Sequence, residues 1–173
     1  MNLDLNEEQR LIQETAREFA EAELAPVAAE LDRGGDPEIF YANLRKLAEL
    51  GFMGLNVRDE HGGSEAGVVA FSVAITELAK ACASTAVTVS VNNMVCEVIQ
   101  ALGSDEQKRA YIPKICSGEF LAGAFALTEA GAGSDPAGMI TSAVREGDDW
   151  VLNGSKLFIS SAACSGVFVV WAV

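Results

Sequence analysis

The sequence predicts an α+β protein: an N-terminal all-helical domain followed by an incomplete antiparallel β-domain. Three observations carry that expectation. Apolar residues recur at helical spacing as far as residue 118. Beyond it, short β-branched and aromatic runs alternate with Gly-Asp and Asn-Gly turns. Finally, the chain closes on the apolar run VFVVWAV, with no polar residue after it. The expected division is residues 1–118 for the helical domain and 119–173 for the first part of the β-domain.

The helical half is punctuated by caps. Asn6 precedes Glu7, Glu8 and Gln9, an N-cap followed by an acidic first turn. Leu11, Ile12, Thr15, Ala16, Phe19 and Ala20 continue at helical spacing. Pro26 is expected to kink or interrupt this helix, and Gly34-Gly35 to end it. Asp36-Pro37 opens a second helix, Pro37 to Leu50, stopped by Gly51. The glycine-rich stretch FMGLNVRDEHGGSEAG then reads as irregular. Val68 to Ala81 and Ser84 to Leu102 are apolar around much of their circumference, so two buried helices are expected, parted near Cys82-Ala83. Ser104 caps a shorter helix that runs to about Cys116, with a possible bend at Pro113, and Ser117-Gly118 closes it.

Five strands are expected after that point: Phe120 to Leu127, Thr141 to Glu146, Trp150 to Asn153, Lys156 to Ser160 and Val167 to Val173. Natural termini are usually polar, and an apolar edge strand invites pairing. The final run therefore implies that the β-domain continues in further polypeptide.

Composition narrows the class of function. A net charge of −13 opposes nucleic-acid binding, which needs a basic stripe to displace counterions. No apolar run is long enough to span a bilayer, and the polar start MNLDLNEEQR carries no targeting signal, so a cytoplasmic location is expected. The four cysteines are scattered in apolar surroundings without metal-ligand spacing, so reduced core thiols are expected and no metal.

The most informative stretch is FALTEAGAGSDPAG, Phe125 to Gly138. Gly131, Ala132 and Gly133 allow tight turning and close approach by a ligand. Successive free amides in such a loop form a concave anion site suited to a pyrophosphate. Ser134 adds a hydroxyl donor, and Thr128 places another at the end of the preceding strand. An ordinary strand connection is the alternative. The loop is not a Rossmann fingerprint, because G-x-G-x-x-G is absent. Glu129 and Asp135 resemble an acid–base pair, but loop carboxylates commonly accept nearby amides, and a structural role is expected for both. The single histidine, His61, is expected to be a loop residue.

Thr128-Glu129-Ala130-Gly131-Ala132-Gly133-Ser134-Asp135, with Gly138 trailing, resembles the first signature of the acyl-CoA dehydrogenase family, with Ala130 where proline is common. The resemblance extends along the whole chain. The helical front resembles the family's N-terminal domain, and HGGSEAG resembles its Tyr-Gly-Gly loop with histidine for tyrosine. GSDEQKRAYIPKICSGE resembles the approach to the β-domain. WVLNGSKLFISSA, Trp150 to Ala162, resembles the second flavin-contacting segment.

The resemblance implies FAD as cofactor, touched by Phe125, Leu127, Thr128, Gly133, Ser134, Phe158, Ile159 and Ser160. The Leu127 backbone and the Thr128 side chain would hold the pyrimidine end of the flavin. Ser134 and the Gly133 amide would reach the pyrophosphate, with Ser134 also bordering the acyl-CoA thioester. Phe158 stands in place of a frequent tryptophan as an aromatic wall, and Ser160 in place of a threonine beside flavin N5. Ser90 and Asn93, in the small-residue helix, would lie nearest the acyl tail.

The implied reaction oxidises the α,β bond of an acyl-CoA thioester to a trans-2-enoyl-CoA and passes electrons to an electron-transfer flavoprotein. The family's base lies in a C-terminal helical domain, so no catalytic residue is assigned here, and the 173 residues alone are expected to be inactive. The missing domain, or a second chain, would complete a homotetramer. A flavin oxidase or monooxygenase of the same fold, or a non-catalytic scaffold, are the alternatives.

Overall fold

The computed structural model describes residues 4–173. Its first helix, α1 (Glu7–Phe19), begins at a reciprocal capping box in which Asn6 accepts the Gln9 amide and the Gln9 side chain accepts the Asn6 amide. Pro26 has no N–H to return to the carbonyl four residues earlier. The ladder relaxes into a π-helical turn over Ala20–Leu24 and resumes as α2 (Ala25–Asp32). The proline changes the helix's hydrogen-bond register instead of ending it, and the stop comes at Gly34, at φ +83°. Helix α3 (Pro37–Glu49) starts with Asp36 accepting the Glu38 amide and ends before Gly51, at φ +80°.

The stretch expected to be irregular forms two short 3₁₀ turns, Phe52–Gly54 and Asp59–His61, and is far from peripheral. Phe52, Met53, Leu55 and Val57 are buried and supply much of the core. A Cβ at Gly63 would collide with Val57, so only glycine permits this fold-back. Helices α4 (Gly67–Ala81) and α5 (Ala83–Leu102) are separated by the extended backbone of Cys82. Helix α6 (Asp105–Cys116) carries a second capping box, between Ser104 and Gln107, and continues through Pro113.

Two clusters form the interior. One joins α1, α3, α4 and α5 around Phe52, Leu24, Leu47 and Leu78. The other joins α5 and α6 through Val95, Ile99, Ile112 and Ile115, with Phe125, Val167 and Val169 packed against it from the strands. The helical half is thus continuous with the first sheet.

Four strands form among the described residues: β1 (Ala122–Ala126), β2 (Ser142–Glu146), β3 (Asp149–Asn153) and β4 (Ser165–Val170). The antiparallel expectation holds for the β2–β3 hairpin, which turns at Gly147 with φ +66°. It fails for β1 and β4, which pair in parallel. Small residues in β1 let α5 come close, since a Cβ on Gly123 would approach Val95 to 2.8 Å. In return Asn92 of α5 accepts the Gly123 amide at 2.7 Å.

The strand expected at Lys156 to Ser160 does not form. Phe158 and Ser161 adopt left-handed backbone at φ +56° and +61°, conformations incompatible with a strand and costly for side chains of this kind. The Leu157 amide bonds the Thr128 carbonyl at 2.9 Å, and no ladder partner takes its place. No described helix is long and apolar enough to cross a membrane.

Candidate functional site

Strand β1 delivers the chain to Leu127 and Thr128 at its open end. There the backbone folds back tightly: Glu129 and Ala132 exchange amide–carbonyl hydrogen bonds of 3.2 and 3.1 Å. Ala130 and Gly131 are left at the tip, and Ala132 is buried beneath it. Nothing lies within 4 Å of where a Cβ would stand on Gly131 or Gly133. Among the described residues, the amides of Thr128, Gly131, Gly133 and Ser134 find no hydrogen-bond acceptor. Asp135 accepts the Ala137 amide and caps the short turn Pro136–Gly138. Gly131, Gly133 and Ser134 are exposed, so their amides are open toward solvent.

Glu129 occupies the floor of this turn. Its carboxylate accepts the amides of Ile140 at 2.7 Å and Thr141 at 3.0 Å, and pairs with Lys156 at 2.8 Å. The Ile140 amide, the Lys156 ammonium and the Thr141 amide hold the carboxyl down at about 2. A base of that strength does not take protons at neutral pH. Glu129 is structural, as expected from its place in the loop, and Asp135 has a capping bond of the same kind.

The second segment lies alongside the first. Phe158 projects with 91% of its surface exposed, held out by its left-handed backbone. Ile159 and Ser160 are half-buried. Ser161 reaches across to α5, where its hydroxyl meets that of Thr88 at 3.0 Å. Together Phe40, Ala83, Ser84, Val87, Thr88, Ser160 and Ser161 line a cavity of about 440 Å³ between the helices and the loop.

Thr128, Gly133, Ser134, Phe158, Ile159 and Ser160 thus lie on two adjacent segments, joined at Thr128 and Leu157. Phe125 is turned elsewhere: its ring packs on Trp171 at 5.9 Å and on the α5–α6 cluster. Ser90 and Asn93 are not on the helix face that meets the loop. Asn93 is buried, donates to the carbonyls of Phe52 and Val89, and accepts the Asn56 amide. That leaves no amide hydrogen for an acyl group. Ser84, Val87 and Thr88 line the cavity beside the loop instead. His61 sits in its 3₁₀ turn beside Arg58 and Lys108. The four cysteines are free, with Cys96 and Cys116 buried.

Lys156 and Thr88 are the residues that sequence reasoning missed. Lys156 sits in a run that reads as a strand, and its partners at Leu127 and Glu129 are remote in sequence. Only the fold joins them.

Unpaired amides around two glycines, the Thr128 hydroxyl and a projecting aromatic thus lie on two joined segments beyond the end of β1. Family models give this arrangement its lineage. Residues 6–119 match the acyl-CoA dehydrogenase N-terminal domain, and residues 124–173 match the acyl-CoA dehydrogenase middle domain. The chain belongs to the acyl-CoA dehydrogenase family.

It is similar to the short-chain specific acyl-CoA dehydrogenase of Clostridium acetobutylicum, 39% identical over 100% of this chain and 45% of that one. A glutaryl-CoA dehydrogenase of Mycobacterium smegmatis solved in complex with FADH2 superposes with a TM-score of 0.89 at 32% identity, covering 97% of this chain and 43% of that one. A chain of the structure described as "Electron transferring flavoprotein of Acidaminococcus fermentans: Towards a mechanism of flavin-based electron bifurcation" gives 0.91 at 37%, covering 99% and 45%. The chain spans about half the length of the curated relatives it matches.

Proposed function

We propose that this chain carries the flavin-holding portion of an FAD-dependent acyl-CoA dehydrogenase, which oxidises the α,β bond of an acyl-CoA thioester and delivers electrons to an electron-transferring flavoprotein. The observation that carries this reading is the row of unpaired amides at Thr128, Gly131, Gly133 and Ser134 beside the exposed Phe158. It is supported by family membership, by the FADH2 complex of the similar glutaryl-CoA dehydrogenase, and by the likeness to a chain of the structure described as an electron transferring flavoprotein.

In this reading Leu127 and Thr128 hold the pyrimidine end of FAD, and the Gly133 amide and Ser134 take its pyrophosphate. Phe158, Ile159 and Ser160 of the second segment would also hold the ring. FAD, when bound, supplies the hydride-accepting chemistry. The protein's own residues would orient the ring, with the cavity between α3, α5 and Ser160 beside it. Neither loop carboxylate serves as the α-proton acceptor, because Glu129 is locked in its ion pair and Asp135 caps a turn. That acceptor is assigned to polypeptide outside these residues, and the 173 residues by themselves are inactive.

The test is a titration of the purified native protein with FAD, followed by addition of acyl-CoA substrates under anaerobic conditions. Uptake of FAD with a protein-shifted visible band, then bleaching by acyl-CoA in the native assembly, is the expected result. Absence of FAD uptake overturns the reading.

A further inference from the structure

Lys156 makes two contacts that reach from one flavin-contacting segment into the other. Its ammonium donates to the Leu127 carbonyl at 2.9 Å and to Glu129 Oε1 at 2.8 Å. Both ionic side chains are nearly enclosed, at 11% and 5% exposure, so water competes little with either bond. The next residue adds a third link, the Leu157 amide to the Thr128 carbonyl at 2.9 Å. Two successive carbonyls of the first segment are therefore held by two successive residues of the second.

The consequence for the open face is geometric. In a planar trans peptide the carbonyl and the following N–H point in opposite directions. With the Leu127 carbonyl drawn to Lys156, the Thr128 N–H is directed away from Lys156, and it finds no acceptor among the described residues. Glu129 restrains the lysine while its other contacts tie down the chain at Ile140 and Thr141.

We propose that Lys156 is a positioning residue, which clamps the Leu127 carbonyl so that the Thr128 N–H and hydroxyl are presented to FAD, with Glu129 as the anchor of that clamp. The inference rests on the FAD reading above but assigns a role to a residue that does not touch the cofactor. Lys156 acts on affinity and on how firmly the ring is held. It also fixes the spacing between Thr128 and Phe158, two residues beyond it in the chain.

The test compares FAD binding to the native protein and to the variants Lys156→Met, Glu129→Gln and Glu129→Gln/Lys156→Met. Dissociation constants are read by fluorescence quenching, and ring immobilisation by the fine structure of the visible flavin band. Lys156→Met alone leaves a nearly enclosed carboxylate unpaired and is expected to lower the thermal midpoint. The double variant removes both charges and is expected to recover much of that midpoint. If the clamp matters, the double variant still binds FAD at least tenfold more weakly, with a blurred band, while Glu129→Gln, which keeps the lysine, loses less. FAD affinity and band shape in the double variant equal to those of the unsubstituted protein overturn the inference alone. No FAD uptake by the unsubstituted protein overturns the underlying FAD reading as well.

Discussion

The two halves of the molecule are held together by different forces. In the helical half, the largest apolar side chains face inward: Phe52, Leu24, Leu44, Leu47, Met53 and Leu78 are almost fully buried. In the strand half, every residue of β3 is exposed, and Trp150, Leu152 and Phe158 all face outward. Beyond β1 and β4, which pack on the α5–α6 cluster, the closure at the glycine turn is polar, with one carboxylate bonding Ile140, Thr141 and Lys156. A closed apolar interior gives rigidity without chemistry. A polar staple beneath open backbone leaves donors and surface free for a ligand, as a binding site requires.

Core truncation should break that contrast most strongly. Phe52→Ala removes a buried ring from the centre of the first cluster and is expected to destabilise the protein by about 3–5 kcal/mol, measured by urea denaturation. Phe158→Ala, by contrast, removes an aromatic that is 91% exposed and should leave the urea midpoint almost unchanged while weakening FAD binding. An equal loss of stability in the two variants would erase the distinction.

The seam between the halves comes next. Asn92→Leu leaves the Gly123 amide without its 2.7 Å acceptor inside the protein, an expected loss of about 1–3 kcal/mol. If the halves are coupled as described, one cooperative unfolding transition becomes broader or splits. A single sharp transition of unchanged midpoint would count against the seam.

Acid sharpens the comparison further. The Glu129 carboxyl titrates near 2 in the fold, against 4.5 as its ordinary value. Because the folded value is depressed, its stabilising contribution is complete above about 4.5 and is lost as pH falls from about 4.5 toward 2. Glu77, held low by Lys80 and Gln13, moves stability in the same direction from the helical half. The urea midpoint should therefore decline over that window in the unsubstituted protein and more gently in Glu129→Gln. Parallel curves would remove Glu129 from the account.

The smallest effect belongs to the hairpin surface. Val144→Thr in β2, at a position 55% exposed, should change stability by no more than about 0.5 kcal/mol in thermal melts. A larger loss would show that this face is covered in the native protein.

Local signals served the helical half well because caps and periodicity act over a few residues. The Asn6 and Ser104 caps, the Pro37 start and the Gly51 stop all stand where the pattern placed them. The π turn ahead of Pro26 was less legible, since a missing amide can end a helix or merely shift its register. In the strand half, the hairpin at Gly147 was readable from Gly-Asp-Asp, and the amide-rich turn from its glycines. The segment from Lys156 to Ser160 misled because alternating apolar residues satisfy a strand pattern whatever their backbone partners are.

The sequence by itself determined the helical order, the caps, the glycine turn and the likeness that names the family, since each depends on neighbouring residues or on an ordered set of motifs. Only the tertiary structure decided the parallel pairing of β1 with β4, the left-handed backbone that thrusts Phe158 outward, and the meeting of Lys156 with Leu127 and Glu129. Those contacts join residues roughly thirty to forty positions apart. Chain folding sets such distances, and no local periodicity records them.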